Sequence, residues 1–240
     1  MHRLLLAALF LPTHLVVGQY SIQGLDLDGD IVSWYDQTLG DENATILEGS
    51  FCNLPNLNTD QNQFFQKSNW TMGEVCYRNQ TYKGVQLLYN SYSDLLIIKN
   101  VALLYSVAQP TLLNQKSVSK FLIFGRQFVN LQGANTPSEG AGFYELLYSG
   151  KHIVFYAKRI KKEYIETGKL VYKEEDRFFI IQDDQFTRFT GRRVLYNMFS
   201  DYKTDLKAFS KGMDLRLKSE VGQRNLMLLL AYCDQLLTEK

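Results

Sequence analysis

Short runs of β-branched and aromatic residues bounded by turn residues fill the middle of the chain, and this alternation is the texture of half-buried strands. The runs are Met72 to Tyr77, Tyr82 to Tyr89, Leu95 to Ile98, Leu103 to Val107, Val118 to Phe124, Phe143 to Tyr148, His152 to Ala157 and Arg177 to Ile181. Asn79-Gln80, Tyr92-Ser93 and Ser149-Gly150 separate neighbouring runs so tightly that hairpins fit and crossover helices do not. Gln127 to Gly142, punctuated by Gly133, Pro137 and Gly140, reads as the longest loop. Near Thr190-Gly191 the period shifts to that of helices. Ser200 is placed to cap one helix with Tyr202, Leu206 and Phe209 on its apolar side and Gly212 as terminator. Ser219 is placed to cap a second, running to about Leu237, with Leu226, Leu229, Leu230, Cys233 and Leu237 on one stripe. That stripe reads as a packed lid, with Gln223, Arg224, Asp234 and Gln235 on the solvent side.

Strands succeeded by helices predict an α+β fold: an antiparallel β-sheet domain, sandwich or open barrel-like, with two C-terminal helices packed on it. The chain divides into four segments. Residues 1–18 read as a signal peptide, 19–67 as a polar, loosely ordered leader, 68–190 as the antiparallel β domain and 191–240 as the helical pair. The signal reading rests on Arg3, the apolar run Leu4 to Leu11, and Val16 and Gly18 ahead of a cleavage point at Gln19. It predicts export to a periplasmic or extracellular location. Leu226 to Cys233, the most apolar later stretch, is far shorter than the roughly 18 residues of a membrane span.

Composition narrows the function classes. A hydrophobic fraction of 45% excludes a disordered chain, and 26 basic against 25 acidic residues give a net charge of +1, without the basic excess expected of a nucleic-acid partner. Export permits a disulfide, and the three cysteines leave one over. Cys233 belongs to the apolar stripe, so Cys52 and Cys76 are the candidate pair, with two independent thiols as the alternative. A bridge there would close a loop of about 25 residues and stabilise by roughly 3 kcal/mol in the chain-entropy view.

Catalytic signatures are sparse. His152 is the one histidine after the signal segment, and no GxSxG, HExxH, CxxC or glycine-rich phosphate loop occurs. No cofactor is expected. Asp26, Asp28 and Asp30 alternate as calcium ligands do, but the glycine and the twelfth-position Glu of an EF-hand are misplaced, so a solvated turn is the simpler reading. Glu174, Glu175 and Asp176, or Asp183 and Asp184, could furnish the carboxylate pair of a glycosidase, although adjacent acids between strands usually face water. Lys158, Arg159, Lys161 and Lys162 form a basic cluster, read either as an anion site or as a charged strand edge that resists aggregation. Asn43, Asn69 and Asn79 begin glycosylation sequons that matter only in a eukaryotic secretory pathway.

Trp70-Thr-Met-Gly-Glu-Val-Cys-Tyr77, Tyr82-Lys-Gly-Val-Gln-Leu-Leu-Tyr-Asn90 and Tyr92-Ser-Asp-Leu-Leu-Ile-Ile98 together resemble an uncharacterised exported protein group of Bacteroidetes-type bacteria. Phe143-Tyr-Glu-Leu-Leu-Tyr-Ser-Gly-Lys151 is similar to that group's later hairpin, and Tyr202 to Leu237 to its closing helices. The likeness covers roughly residues 45 to 240. It implies a strand-rich hairpin domain with a C-terminal helix pair, and its motifs contain no catalytic residue. The resemblance carries no activity over, and the sequence is read as an exported envelope-associated binding or assembly protein without catalytic activity, acting through a sheet face or edge on an envelope protein or glycan. The rivals are a glycan hydrolase of the envelope and a secreted eukaryotic glycoprotein.

Overall fold

The computed structural model describes residues 46, 49–54, 62–100, 109–133 and 136–239. The signal segment, Asp26 to Asp30, Asn43 and Leu103 to Val107 lie outside the described residues. Among the described residues there are thirteen strands: β1 Ser50–Phe51, β2 Thr71–Tyr77, β3 Gln80–Asn90, β4 Leu95–Asn100, β5 Gln109–Leu112, β6 Val118–Ile123, β7 Arg126–Leu131, β8 Gly142–Ser149, β9 Ile153–Lys158, β10 Lys161–Glu166, β11 Lys169–Glu174, β12 Arg177–Gln182 and β13 Gln185–Phe189. Eleven of them form one antiparallel sheet in the order β1-β5-β4-β3-β2-β6-β7-β8-β9-β12-β13, while β10 and β11 make a separate two-stranded ribbon. Three helices come after β13: α1 Arg192–Met198, α2 Lys203–Phe209 and α3 Glu220–Thr238. The fold is α+β.

Two-residue turns drive the local topology. Arg78-Asn79, Phe124-Gly125, Thr167-Gly168 and Asp183-Asp184 each hold two successive residues at positive φ, the type I′ geometry whose twist matches antiparallel strands. Phe124 at φ 53° is the unexpected member, because an aromatic rarely takes the left-handed region. That turn brings β7 back along β6, so Phe121 lies opposite Phe128 and the two rings stack with centroids 4.7 Å apart. Sequence pattern alone assigns this segment to the Gln127 to Gly142 loop, and it is a central strand of the sheet instead.

One face of the sheet carries two cores. Val75, Tyr77, Leu87, Tyr89, Phe121, Phe128 and Phe143 pack together over the N-terminal half, joined by Phe65. Ile153, Phe155, Phe178, Ile180 and Phe189 continue that face and are covered by Leu195, Leu206, Leu226, Leu229, Leu230 and Cys233 from the helices. On the opposite face a smaller cluster joins Phe64 to Leu88 and Ile97. Phe64 and Phe65 are buried, with the Phe65 N–H donating to the Tyr89 carbonyl at 2.8 Å, so the end of the expected loose leader is part of the packed domain. Two apolar neighbours serve both faces there because successive side chains of extended chain alternate.

The helical end differs from expectation in number. α1 has no sequence signal of its own, since Gly191 gives it no side-chain cap. Ser200 opens a 3-10 turn and not the helix itself, which starts at Lys203. α3 forms as expected: Ser219 Oγ accepts from the Gly222 N–H at 3.0 Å, and Leu226, Leu229, Leu230 and Cys233 are buried. Gly222 is needed at this start, because a Cβ there would lie 1.9 Å from the Arg216 carbonyl oxygen.

Candidate functional site

Where β9 ends and the ribbon leaves the sheet, charged residues converge between the two cores. Glu145 on β8 lies opposite Ala157 on β9, so Arg159, two residues further on, comes up beside it on the same face. Arg159 Nε donates to Glu145 Oε2 at 2.5 Å, its Nη1 to Asp176 Oδ2 at 2.5 Å and its Nη2 to Gln223 on α3 at 3.0 Å. Arg126 Nη1 donates to the other Glu145 oxygen at 2.9 Å and its Nη2 to Glu220 on α3 at 3.2 Å. Burial works against the Arg159 charge, but Glu145 and Asp176 outweigh it and hold its pKa above the ordinary guanidinium value. Lys161 is also buried, with Nζ on the Asn62 carbonyl at 2.7 Å; burial pushes its pKa down despite Glu174 and Asp176 nearby. Lys158 turns to the opposite face, where Nζ meets Asp94 at 2.6 Å and sits 4.7 Å from the centre of the Tyr144 ring.

For most of its members the basic cluster is therefore neither of the two things its sequence suggests. Three of its four members are buried, and each has its own partner. Only Lys162 is an exposed edge charge, paired with Glu175 at 2.9 Å. A cleft of about 1160 Å³ opens beside the network, lined among others by Arg126, Lys161, Arg177, Arg188 and Lys218. Its volume suits a sizeable ligand. Its guanidinium groups, however, are already paired: Arg126 and Arg159 with Glu145, Arg177 with Glu175 at 3.2 Å and Arg188 with Glu139 at 3.9 Å.

Of the carboxylates considered for glycan hydrolysis, Asp176 and Glu175 are committed in the same way, whereas Glu174 is exposed and lines the cleft. Asp176 accepts from Arg159 and from the Ile160 N–H. Glu175 accepts from Tyr164, Lys162 and Arg177, and these donors, the Tyr164 hydroxyl first, draw its pKa down to about 2. A carboxyl held this low is the opposite of the raised value that a general acid needs. Asp183 and Asp184 form the exposed β12–β13 turn. Asn69 and Asn79 are exposed as well.

Cys52 and Cys76 are both free thiols, and the structure does not bring them together. The Cys52 N–H bonds the Pro110 carbonyl beside β5, whereas Cys76 is on β2. Four strand spacings separate them in the sheet order, roughly 19 Å at about 4.8 Å each, against the ~7 Å limit on Cα separation for a disulfide. Cys233 is buried and unpaired, in keeping with its place on the stripe. His152 is half-buried, and its backbone N–H donates to Asp234 at 2.7 Å.

The ribbon is the feature that the hydrophobic pattern does not announce. β10 and β11 pair from Lys161↔Glu174 to Glu166↔Lys169 around the Thr167-Gly168 turn. Among the described residues the backbone bond that ties it to the rest of the chain is Lys161 N–H to the Ser91 carbonyl at its base, where Glu175 N–H to the Ile160 carbonyl continues the ribbon's own ladder. Ile165 and Leu170 face each other near the tip and are 80% and 56% exposed. Thr167-Gly168 between two six-residue segments of alternating charge and apolar residues is the signal that could have found it, masked by the density of Lys and Glu.

Site and scaffold thus define an α+β protein built on one long antiparallel sheet, with a projecting ribbon and a helical cover over one end. No family model, curated protein or solved structure matches the chain. Among the described residues no helix is long and apolar enough to cross a membrane.

Proposed function

We propose that this chain is an exported, envelope-associated binding or assembly protein that engages its partner through the β10–β11 ribbon and performs no catalysis. The observation that carries this reading is the exposed Ile165 and Leu170 pair on a ribbon whose outer edges take no backbone partner beyond its base among the described residues. Unpaired strand edges recruit other strands, and proteins usually blunt or cover them. The paired guanidinium groups of the cleft and the commitment of Glu175 and Asp176 favour this reading over glycan hydrolysis. The signal-like N-terminal segment supports export.

Replacing Ile165 and Leu170 together by serine tests it. Both side chains lie outside the cores, so the melting temperature should stay within about 2 °C of the parent, as for surface changes in general. Cross-linking in the native envelope should lose the adducts the parent forms. Unchanged adducts, or glycan hydrolysis that disappears on Glu175→Gln, would overturn the proposal.

A further inference from the structure

The same ribbon points to the partner's chemistry, an identification that rests on its being the contact surface. In a two-residue hairpin the residues flanking the turn exchange backbone hydrogen bonds, so Glu166, Tyr164 and Lys162 direct their N–H and C=O groups at β11. Lys161, Glu163 and Ile165 direct theirs outward. The Lys161 N–H on the Ser91 carbonyl, at 3.2 Å, agrees with this assignment.

Two copies of one strand can pair antiparallel only about a two-fold axis perpendicular to the ribbon, which keeps equivalent faces on one side. Residues of the same parity must then lie opposite each other. Centring β10 on Glu163 puts that carboxylate against its own copy. Centring on Ile165 leaves Tyr164 opposite Glu166 and no ion pair. Centring on Tyr164 is different. Lys162 then faces Glu166 of the second copy twice, so that the existing Lys173–Glu166 and Lys162–Glu175 pairs join into one row of alternating charges on each side of the axis. The two Tyr164 rings meet at the axis, and Glu163 faces Ile165 with the four outward backbone groups of that pair matched. Opposite charges and aromatic pairs directly across a ladder are the favourable cross-strand combinations. The other edge lacks this complementarity: centring β11 on Val171 opposes Lys169 to Lys173, and centring on Tyr172 opposes Leu170 to Glu174.

We infer that the ribbon's partner is a second copy of this chain, docked β10 edge to β10 edge about Tyr164. So short an edge buries well under the ~1,200 Å² of a standard interface, so the dimer is weak and forms where the protein is concentrated.

Sedimentation of the purified full chain across a concentration series should show a monomer–dimer equilibrium. Lys162→Glu or Glu166→Lys alone should weaken it roughly five- to tenfold, and the two together should restore it, since the charges are exchanged and not removed. Tyr164→Cys should give a reducible covalent dimer on mild oxidation, because non-hydrogen-bonded pairs bring Cα atoms to about 4.5 Å. The parent, with Cys52, Cys76 and Cys233 alone, should give none. A single monomeric species up to the solubility limit, or a dimer indifferent to the charge exchange, overturns the self-pairing. If the envelope adducts still vanish with Ile165 and Leu170 replaced, the ribbon remains the contact surface and its partner is another protein; if they persist, the ribbon reading itself fails.

Discussion

Asp234 shows how much one buried carboxylate can organise. It accepts from the N–H groups of Lys151, His152 and Ile153 at 2.8, 2.7 and 3.0 Å, tying the β8–β9 turn to α3. The helical pattern places it on the solvent side of α3, because an acid outside the leucine stripe is normally solvated. What the pattern does not carry is the turn that arrives over that side of the helix. Gly150 makes the approach possible, since a Cβ there would lie 2.3 Å from Asp234 Oδ2. Burial tends to raise the Asp234 pKa, but the backbone donors, His152 first, outweigh it and leave the value lowered. A lowered folded-state pKa means stabilisation that is fully present above the unfolded value of about 3.9 and is lost as pH falls through the folded one. Asp234→Asn keeps the shape and loses the charge, so it should destabilise by about 1.5–3 kcal/mol at pH 7. Denaturant unfolding at neutral pH and again near pH 3 checks this, and the gap between variant and parent should narrow in acid. Thiols make a second residue-scale test. Burial pushes Cys233 up to about 12, so folded protein should alkylate there far more slowly than at Cys52 or Cys76, while denatured, unreduced protein should count three reactive groups.

At the scale of elements, legibility tracks period and turn chemistry. β2, β3, β4, β6, β8, β9 and β12 are readable because their apolar runs end in recognisable turns, and α3 because Ser219 and a leucine stripe coincide. β7 is not, because its turn uses Phe124 at positive φ and its polar members Arg126, Gln127 and Asn130 imitate a loop. β10 and β11 are not, because a ribbon with little to bury carries charge on both faces. Only distant pairing shows that Arg126, Glu145 and Arg159 meet, since they come from β7, β8 and the end of β9. The α3 entry gives a prediction at this scale. Gly222→Ala forces a methyl group onto the Arg216 backbone, and fixed backbone cannot yield as a side-chain tip does. Alanine favours helix over glycine by about 1 kcal/mol elsewhere, so the usual sign should reverse here. Thermal unfolding of the variant below the parent's midpoint checks the reversal.

For the whole molecule, the question is what joins two cores on one sheet into a single cooperative unit. The N-terminal core closes on its own aromatic residues, whereas the second needs the helices as its cover. Between them the Arg126–Glu145–Arg159–Asp176 network reaches α3 at Glu220 and Gln223, so a polar seam links sheet and cover. Buried ion pairs contribute little net stability once desolvation is counted, yet removing one partner strands the other. Arg159→Leu leaves the 3%-exposed Glu145 side chain with Arg126 alone and should cost about 3–5 kcal/mol. Arg159→Leu with Glu145→Leu removes both buried charges of the closest pair and should recover much of that loss, because Asp176 keeps the Ile160 N–H and some solvent. The double variant retains core packing but lacks the link to Gln223, so its signature should be loss of concertedness. Unfolding followed by tyrosine fluorescence and by far-ultraviolet circular dichroism should coincide in the parent and separate in the double variant. Coincident transitions in the double variant would show that the leucine contacts of α3 couple the cores without help from the charges.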